Sequence, residues 1–486
     1  VTALQGAGTP PPVRTGPAAE WRAVAAAALV AVAAAAAIPV PLPVGLGLAA
    51  VGGLLRRGAL VVLAVALVVS GRADRAWSAQ AVPPPDEWEG LVTLGGDPRP
   101  IGPGVVVEVI AGGRRYEAMA YGGAAGPLRR MLAGERIELR ATVAPLPPDR
   151  PDLARRHLAG RMAVEGSGLR LPAAPVHRIA NGLRRTLAGG LDHLPDDRRA
   201  LVTGVVFGDD REQADADRDA FRAAGLSHLL AVSGQNVAFV LALAAPLLRR
   251  GTHRFRLPLT LVVLAGFGLV TRFEPSVLRA TTMAGVAAVA AAGGRTAGGI
   301  RILALAVVAV LLVDPLLVGS VGFQLSVLAS GGILVLAGPL AGALPGPGWF
   351  REAAAVTVSA QLAVAPRLVA FDPVPVVSLP ANLLAVPAAG PMMTWGLTGG
   401  FAAGVLGGLP ARLLHLPTDL LARWLQAVAH TSAAMPLGGL TAVHVAVLWA
   451  AAAVLLRRPG PGVRRATIGA VALIVVHAAL FGPVPR

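Results

Sequence analysis

Lysine and cysteine are absent from this chain of 486 residues, and asparagine occurs only three times, as Asn181, Asn236 and Asn382. Without cysteine there is no disulfide, no thiolate metal ligand and no thiol nucleophile, and the redox compartment cannot be read from thiols. Without lysine all 43 cationic residues are arginine. A Walker A loop needs Gly-Lys-Ser/Thr to hold phosphate, so the chain is not its own nucleotide-driven motor. The nine histidines include no two at the spacing of a metal pair, and neither metal nor cofactor is expected. Charged residues make up only 14% and aromatics 4%, against 55% hydrophobic residues, which excludes an ordinary soluble enzyme and places the chain among multi-span membrane proteins. The formal charge of +16 suits a polyanion or anionic lipid head groups, and equally the arginine excess of any membrane protein's cytoplasmic loops.

Along the chain, residues 1–21 read as a disordered arm rich in Gly, Pro and Ala, and 22–71 as N-terminal transmembrane segments broken at IPVPLPVG and Arg56-Arg57. With Arg22, Arg56 and Arg57 cytoplasmic, the chain emerges on the outer face after Gly71. Residues 83–172 change texture to short alternating runs such as GVVVEVI, RRYEAMAY and ERIELRATV, a small β domain of roughly five strands. A helical insertion at 151–159 precedes a last strand pair, RMAVEG and GLRL, the element order of a small barrel such as an OB-fold. Arg114, Arg115, Tyr116 and Tyr121 could hold single-stranded nucleic acid by cation and stacking contacts, or could simply be a solvated hairpin face. Val176, Ile179, Leu183 and Leu187 recur at helical spacing opposite Arg178, Arg184 and Arg185, so 176–224 reads as amphipathic helices on the membrane surface. From 225 to 482 the chain is almost continuously apolar, with candidate spans or re-entrant segments near 229–248, 257–271, 276–293, 299–313, 316–342, 353–370, 376–405, 439–456 and 466–482. The segment 409–435 is ambiguous between an interfacial helix and a polar span.

The few amides are concentrated where water is scarce. Ser227, His228, Ser233, Gln235 and Asn236 run directly into an apolar stretch; Gln324 sits beside Ser326, Gln361 beside Ser359, and Asn382 beside Ser378. A membrane-embedded amide must find a partner on another helix or in a wet pore, so these residues are candidates for one lined pathway, with interhelical glue as the alternative. Arg279, five residues into the span after Pro275, should face the interior of the bundle. Pro380, Pro387 and Pro391 surround Asn382, which makes 376–405 a candidate broken or re-entrant element.

The strings AFRAAGLSHLLAVSGQNVAFVLAL, PSVLRATTM, DPLLVGSVGFQLSVLASGGI and QLAVAPRLVAFDPVPVVSLPANLLAVP, in this order and spacing, resemble the ComEC/Rec2 competence proteins. The resemblance implies an α-helical polytopic protein of the cytoplasmic membrane, with an extracytoplasmic OB-fold-like barrel inserted after the N-terminal spans. It further implies passage of one DNA strand, with Ser227, His228, Ser233, Gln235, Asn236, Arg279, Gln324, Ser326, Gln361 and Asn382 along the path in the membrane. The implied partners are single-stranded DNA, membrane lipids, a separate cytoplasmic helicase or ATPase, a separate nuclease and a DNA-receptor protein. Many relatives continue into a metallo-β-lactamase-like domain with an HxHxDH cluster. No such cluster occurs here, and the chain is expected to be a channel without its own nuclease and not an enzyme. Two other classes stay open: a small-solute or lipid-linked transporter, which should show an internal repeat, and an intramembrane serine hydrolase using Ser233 and His228, whose AVSGQ context lacks the glycine of a tight nucleophile turn.

Overall fold

The structure is a computed structural model describing residues 17–230, 234–250, 253–293, 297–457 and 460–483. Helices α1 (Pro17–Ala36), α2 (Leu42–Leu54) and α3 (Gly58–Ala81) lead into strands β1 (Glu87–Leu94), β2 (Arg99–Ile101), β3 (Gly104–Ala111), β4 (Arg114–Ala120), β5 (Arg136–Ala144) and β6 (Leu158–Leu171), with short helices α4 (Ala125–Arg129) before β5 and α5 (Pro151–Arg155) before β6. The rest is helical: α6 (Pro175–Gly189), α7 (Asp196–Phe207), α8 (Asp215–Ala223), α9 (Gly234–Arg250), α10 (His253–Val270), α11 (Pro275–Ala292), α12 (Gly299–Val313), α13 (Val321–Ala343), α14 (Gly348–Leu368), α15 (Ser378–Leu406), α16 (Gly408–Leu414), α17 (Leu416–Ala433), α18 (Ala442–Leu456) and α19 (Pro461–Phe481), with a two-residue strand pair, β7 (Val374–Pro375) and β8 (Gly439–Leu440). The expected arm 1–21 lies outside the described residues up to 16, and its last part opens α1. Each apolar run after Gly225 holds a helix, and among the described residues four segments, at α1, α9, α11 and α13, are long and apolar enough to cross a membrane. The chain divides into two compact units, one running to Thr186 and resuming over Ala244–Gln324, the other formed by Leu187–Leu243 and the remainder from Leu325.

In the first unit the strands close on themselves. The sheet order is β1-β5-β6-β4-β3-β2, and β1 also pairs with β3 through Thr93 opposite Ile110, giving a five-stranded barrel with β2 as an appendage on β3. Only β4 and β6 run parallel. Strict alternation builds the core: Ile137, Leu139, Ala141 and Val143 of β5 point inward, while Arg136, Glu138 and Arg140 point out. The last strand pair anticipated from RMAVEG and GLRL is one strand of 14 residues. Its register against β5 shifts at Glu165 and around Gly168, so a bend is absorbed by bulges at a glycine-containing stretch and the strand is not broken.

The barrel is tied to the helices of its own unit by a buried charge cluster. Asp97, in the turn after β1, accepts from the Ala133 amide at 2.8 Å, from Arg184 of α6 at 2.9 Å, and from Arg272, just past α10, at 2.8 and 3.1 Å. Arg184 also donates to the Val270 carbonyl at 2.7 Å, and Arg272 to Asn181 Oδ1 at 2.8 Å. Arg184 was anticipated on the solvated face of a surface helix, yet its side chain is 3% exposed. Desolvation of the guanidinium is offset by the carboxylate opposite it, while Arg178 and Arg185 are exposed as expected, together with the apolar Val176 and Ile179.

The second unit departs from the sequence reading at two helices. α7, expected on the membrane surface, is buried at every residue from Ala200 to Phe207. α15, expected to be broken by its prolines, is one helix of 29 residues containing Pro387 and Pro391. Its buried face is a stripe of small residues, Ala381, Ala385, Ala388, Gly396, Gly400 and Ala403, packed on α7 and α17. A methyl group on Gly396 would sit 2.5 Å from Val206. Pro387 and Pro391 each lack an amide donor, yet the helix runs on through both. In the first unit, α3 continues ten residues past Gly71 to Ala81.

Because Asp97 serves two largely buried guanidiniums, its loss takes the carboxylate from both. Asp97→Ala is expected to cost about 3–5 kcal/mol, read as a lowered thermal unfolding midpoint of the full chain in detergent. An unchanged midpoint would mean that the cluster is solvated.

Candidate functional site

The polar stretch singled out by the sequence begins where α8 ends. Gly225 has φ of +69°; its amide donates to the Arg222 carbonyl at 2.9 Å, the Leu226 amide donates to Phe221 at 2.7 Å, and Leu226 and Phe221 are both fully buried. This left-handed glycine closure, with its apolar clasp, is written in the sequence as AFRAAGL. Glycine is required twice over, because a Cβ at this position would lie 2.4 Å from Ser378 Cβ at the start of α15.

Around this turn the second unit gathers its amides. Asn382 Nδ2 donates to the Ser378 carbonyl at 2.7 Å and reaches the Gly225 carbonyl at 3.5 Å. Gln361 of α14 donates to Ser378 Oγ at 3.3 Å. Asn236, in the first turn of α9, donates to the Val205 carbonyl of α7 at 3.1 Å. Asn236 and Asn382 are each 5% exposed, so both are buried and hold backbone. Ser227, His228 and Gln235 are exposed, and the His228 ring also hydrogen-bonds the Gly225 backbone. Ser233 lies outside the described residues. Ser326, on α13 of the same unit, is half-buried.

The remaining expected path residues belong to the first unit. Arg279 is buried on α11, 3.0 Å from Met283 Sδ, in keeping with an interior-facing charge. Gln324 donates to the Val318 carbonyl at 2.8 Å, which ties the first turn of α13 to the loop before it. The structure therefore joins Asn382 and Gln361 through Ser378, with the Gly225 turn against them.

The barrel residues also separate. Tyr116 is 2% exposed in the barrel core and offers no face to a base, a correction to its expected use. Arg114 donates to the Val82 and Pro83 carbonyls, which occupies its guanidinium with the linker from α3. Arg115 and Tyr121 are exposed and remain able to meet a strand. The alternation of RRYEAMA already places Tyr116 with Ala118 and Ala120, away from Arg115, so this signal was available in the sequence. Among the described residues no group of three His, Asp or Glu side chains could hold a metal ion.

The fold and the site thus define a helical protein with several apolar helices, a small barrel and a polar turn buried against a long proline-containing helix. Residues 205–460, which include that turn and its partners, match the family described as Competence protein, and the chain belongs to that family. It is 29% identical over 239 residues to ComE operon protein 3 of Bacillus subtilis (strain 168). The match covers 48% of this chain and 30% of that relative, so the chain spans well under two thirds of the relative's length. No solved structure matches.

Gly225→Ala combines a left-handed backbone with a clash, and is expected to lower the stability of the detergent-solubilised chain by about 1–3 kcal/mol. Asn382→Leu should cost less, roughly 0.6–1.7 kcal/mol. If Gly225→Ala unfolds at the wild-type temperature, the close approach to Ser378 is absent in solution.

Proposed function

We propose that this chain is the membrane channel through which one strand of DNA crosses the cytoplasmic membrane during DNA uptake. The observation that carries the reading is the polar turn of the second unit: in a chain with three asparagines, two are buried within the family-matched region, fixing a segment whose neighbours Ser227, His228 and Gln235 are exposed. Exposed hydroxyl, imidazole and amide groups replace water around phosphates and bases as a strand passes.

The barrel fits the same function. Its closed order β1-β3-β4-β6-β5-β1, with β4 and β6 the parallel pair and α4 between β4 and β5, supports the reading of an OB-fold and with it an oligonucleotide-binding role. On the outer face it would collect the strand through Arg115 and Tyr121. The chain carries no Walker A lysine, and the driving force is assigned to a separate helicase or ATPase, with the proton gradient as the alternative. Strand degradation and capture of duplex DNA are assigned to a separate nuclease and a receptor.

Replacing Ser227, His228 and Gln235 together with alanine is expected to abolish transformation of a deletion strain complemented with this chain, while membrane insertion and unfolding temperature stay at the wild-type level. Normal transformation with that triple variant would remove the polar turn from the path. Tyr121→Ala is expected to weaken binding of a single-stranded oligonucleotide to the full chain by about 1–3 kcal/mol, and Arg115→Gln to reduce the salt slope of that binding by about 0.7. Unchanged affinity and slope would confine the barrel to a structural part.

A further inference from the structure

The second unit carries a polar cavity and an apolar groove side by side on α17, and neither belongs to the polar turn. The cavity, of about 420 Å³, is lined by Arg198, Arg412, Arg423, Asp419, His193 and His415 among others. Asp419 pairs with Arg198 and, at 2.9 Å, with Arg423, whereas Arg412 has no acidic partner among the described residues. Three guanidiniums therefore face one carboxylate. His415 is fully enclosed, its ring 5.7 Å from that of His193. Its burial and the neighbouring His193 hold its pKa down to about 4, so at neutral pH it neither adds to nor opposes the positive charge.

The groove, of about 570 Å³, is lined by Leu383, Leu384, Pro387, Leu420, Leu421 and Trp424. At 100° per residue, Leu416, Asp419 and Arg423 occupy one face of α17, and Leu420, Leu421 and Trp424 the adjacent face. The surface around the pair is apolar as well: Leu409 and Leu413 of α16 and Leu416 and Leu420 of α17 are all exposed. A free anion or a nucleic acid strand would use the guanidiniums and leave this apolar surface in water. A molecule with a phosphate at one end and a hydrocarbon chain at the other covers both.

We infer that the α16–α17 element is a binding site for an anionic phospholipid, with the head-group phosphate at Arg198, Arg412 and Arg423 and an acyl chain in the groove beside Trp424. Net positive charge selects an anionic head group over a zwitterionic one. The exposed leucines set α16 and α17 in the interfacial plane, where head group and chain meet. This site is independent of the DNA reading, and its test does not involve DNA transport.

The test is native mass spectrometry of the detergent-solubilised full chain equilibrated with phosphatidylglycerol or phosphatidylcholine. The wild-type chain is expected to retain phosphatidylglycerol preferentially. The double variant Arg412→Gln/Arg423→Gln, which changes two exposed side chains, is expected to lose roughly 30-fold in that retention, at about 1 kcal/mol per arginine. Leu420→Ser, which leaves every charge in place, should weaken retention of the same lipid. Equal retention of the two lipids, or unchanged retention in the double variant, would overturn the site. Displacement of the lipid by inorganic phosphate alone would identify a free-anion site, and displacement by a single-stranded oligonucleotide a nucleic-acid site; either would overturn the phospholipid assignment.

Discussion

A polar group removed from water has to be paired, and a chain as apolar as this one has few residues with which to do it. The structure meets that demand at a small number of points, each anchoring a large element. In the first unit one carboxylate, Asp97, receives two guanidiniums and a backbone amide, and through them ties the barrel to α6 and to the end of α10. In the second unit Ser378, with its own carbonyl and hydroxyl, receives amides from α14 and α15. The Gly225 turn packs close against it because nothing larger than hydrogen fits there. The Asp97 contacts and the close approach of Gly225 to Ser378 join segments far apart in sequence.

The same demand sorts the polar residues by role. Asn236 and Asn382 are spent on backbone carbonyls, so they fix the turn and the head of α9. In the proposed channel the exposed residues that flank them are left to meet a ligand. On the barrel, Tyr116 is spent on the core and Arg114 on the linker, which leaves Arg115 and Tyr121 for a strand. A residue that already holds the fold together is poorly placed to hold a moving polymer, since every contact made to the strand would have to break one made to the protein.

Local signals in the sequence carried well. The apolar runs that became helices and the β5 alternation depend on residues within a few positions of one another. What was not legible depended on distant partners. Asp97 sits in a turn that reads as loop chemistry, and its guanidiniums lie 87 and 175 residues away. The two prolines of α15 argue locally for a break, while its small-residue stripe has meaning only against Val206 and its neighbours. α7 reads as amphipathic until α15 and α17 are seen to cover it. Tyr116 is a different case: the strand period already placed it inside, and its aromatic character alone had suggested the surface.

The most direct measurement is the strandedness and location of labelled DNA in a deletion strain with and without this chain supplied back. A channel for one strand predicts internal label that is single-stranded and protected from added nuclease only when the chain is present. Equal amounts of protected internal label in both strains, or label that is double-stranded inside, would contradict the account.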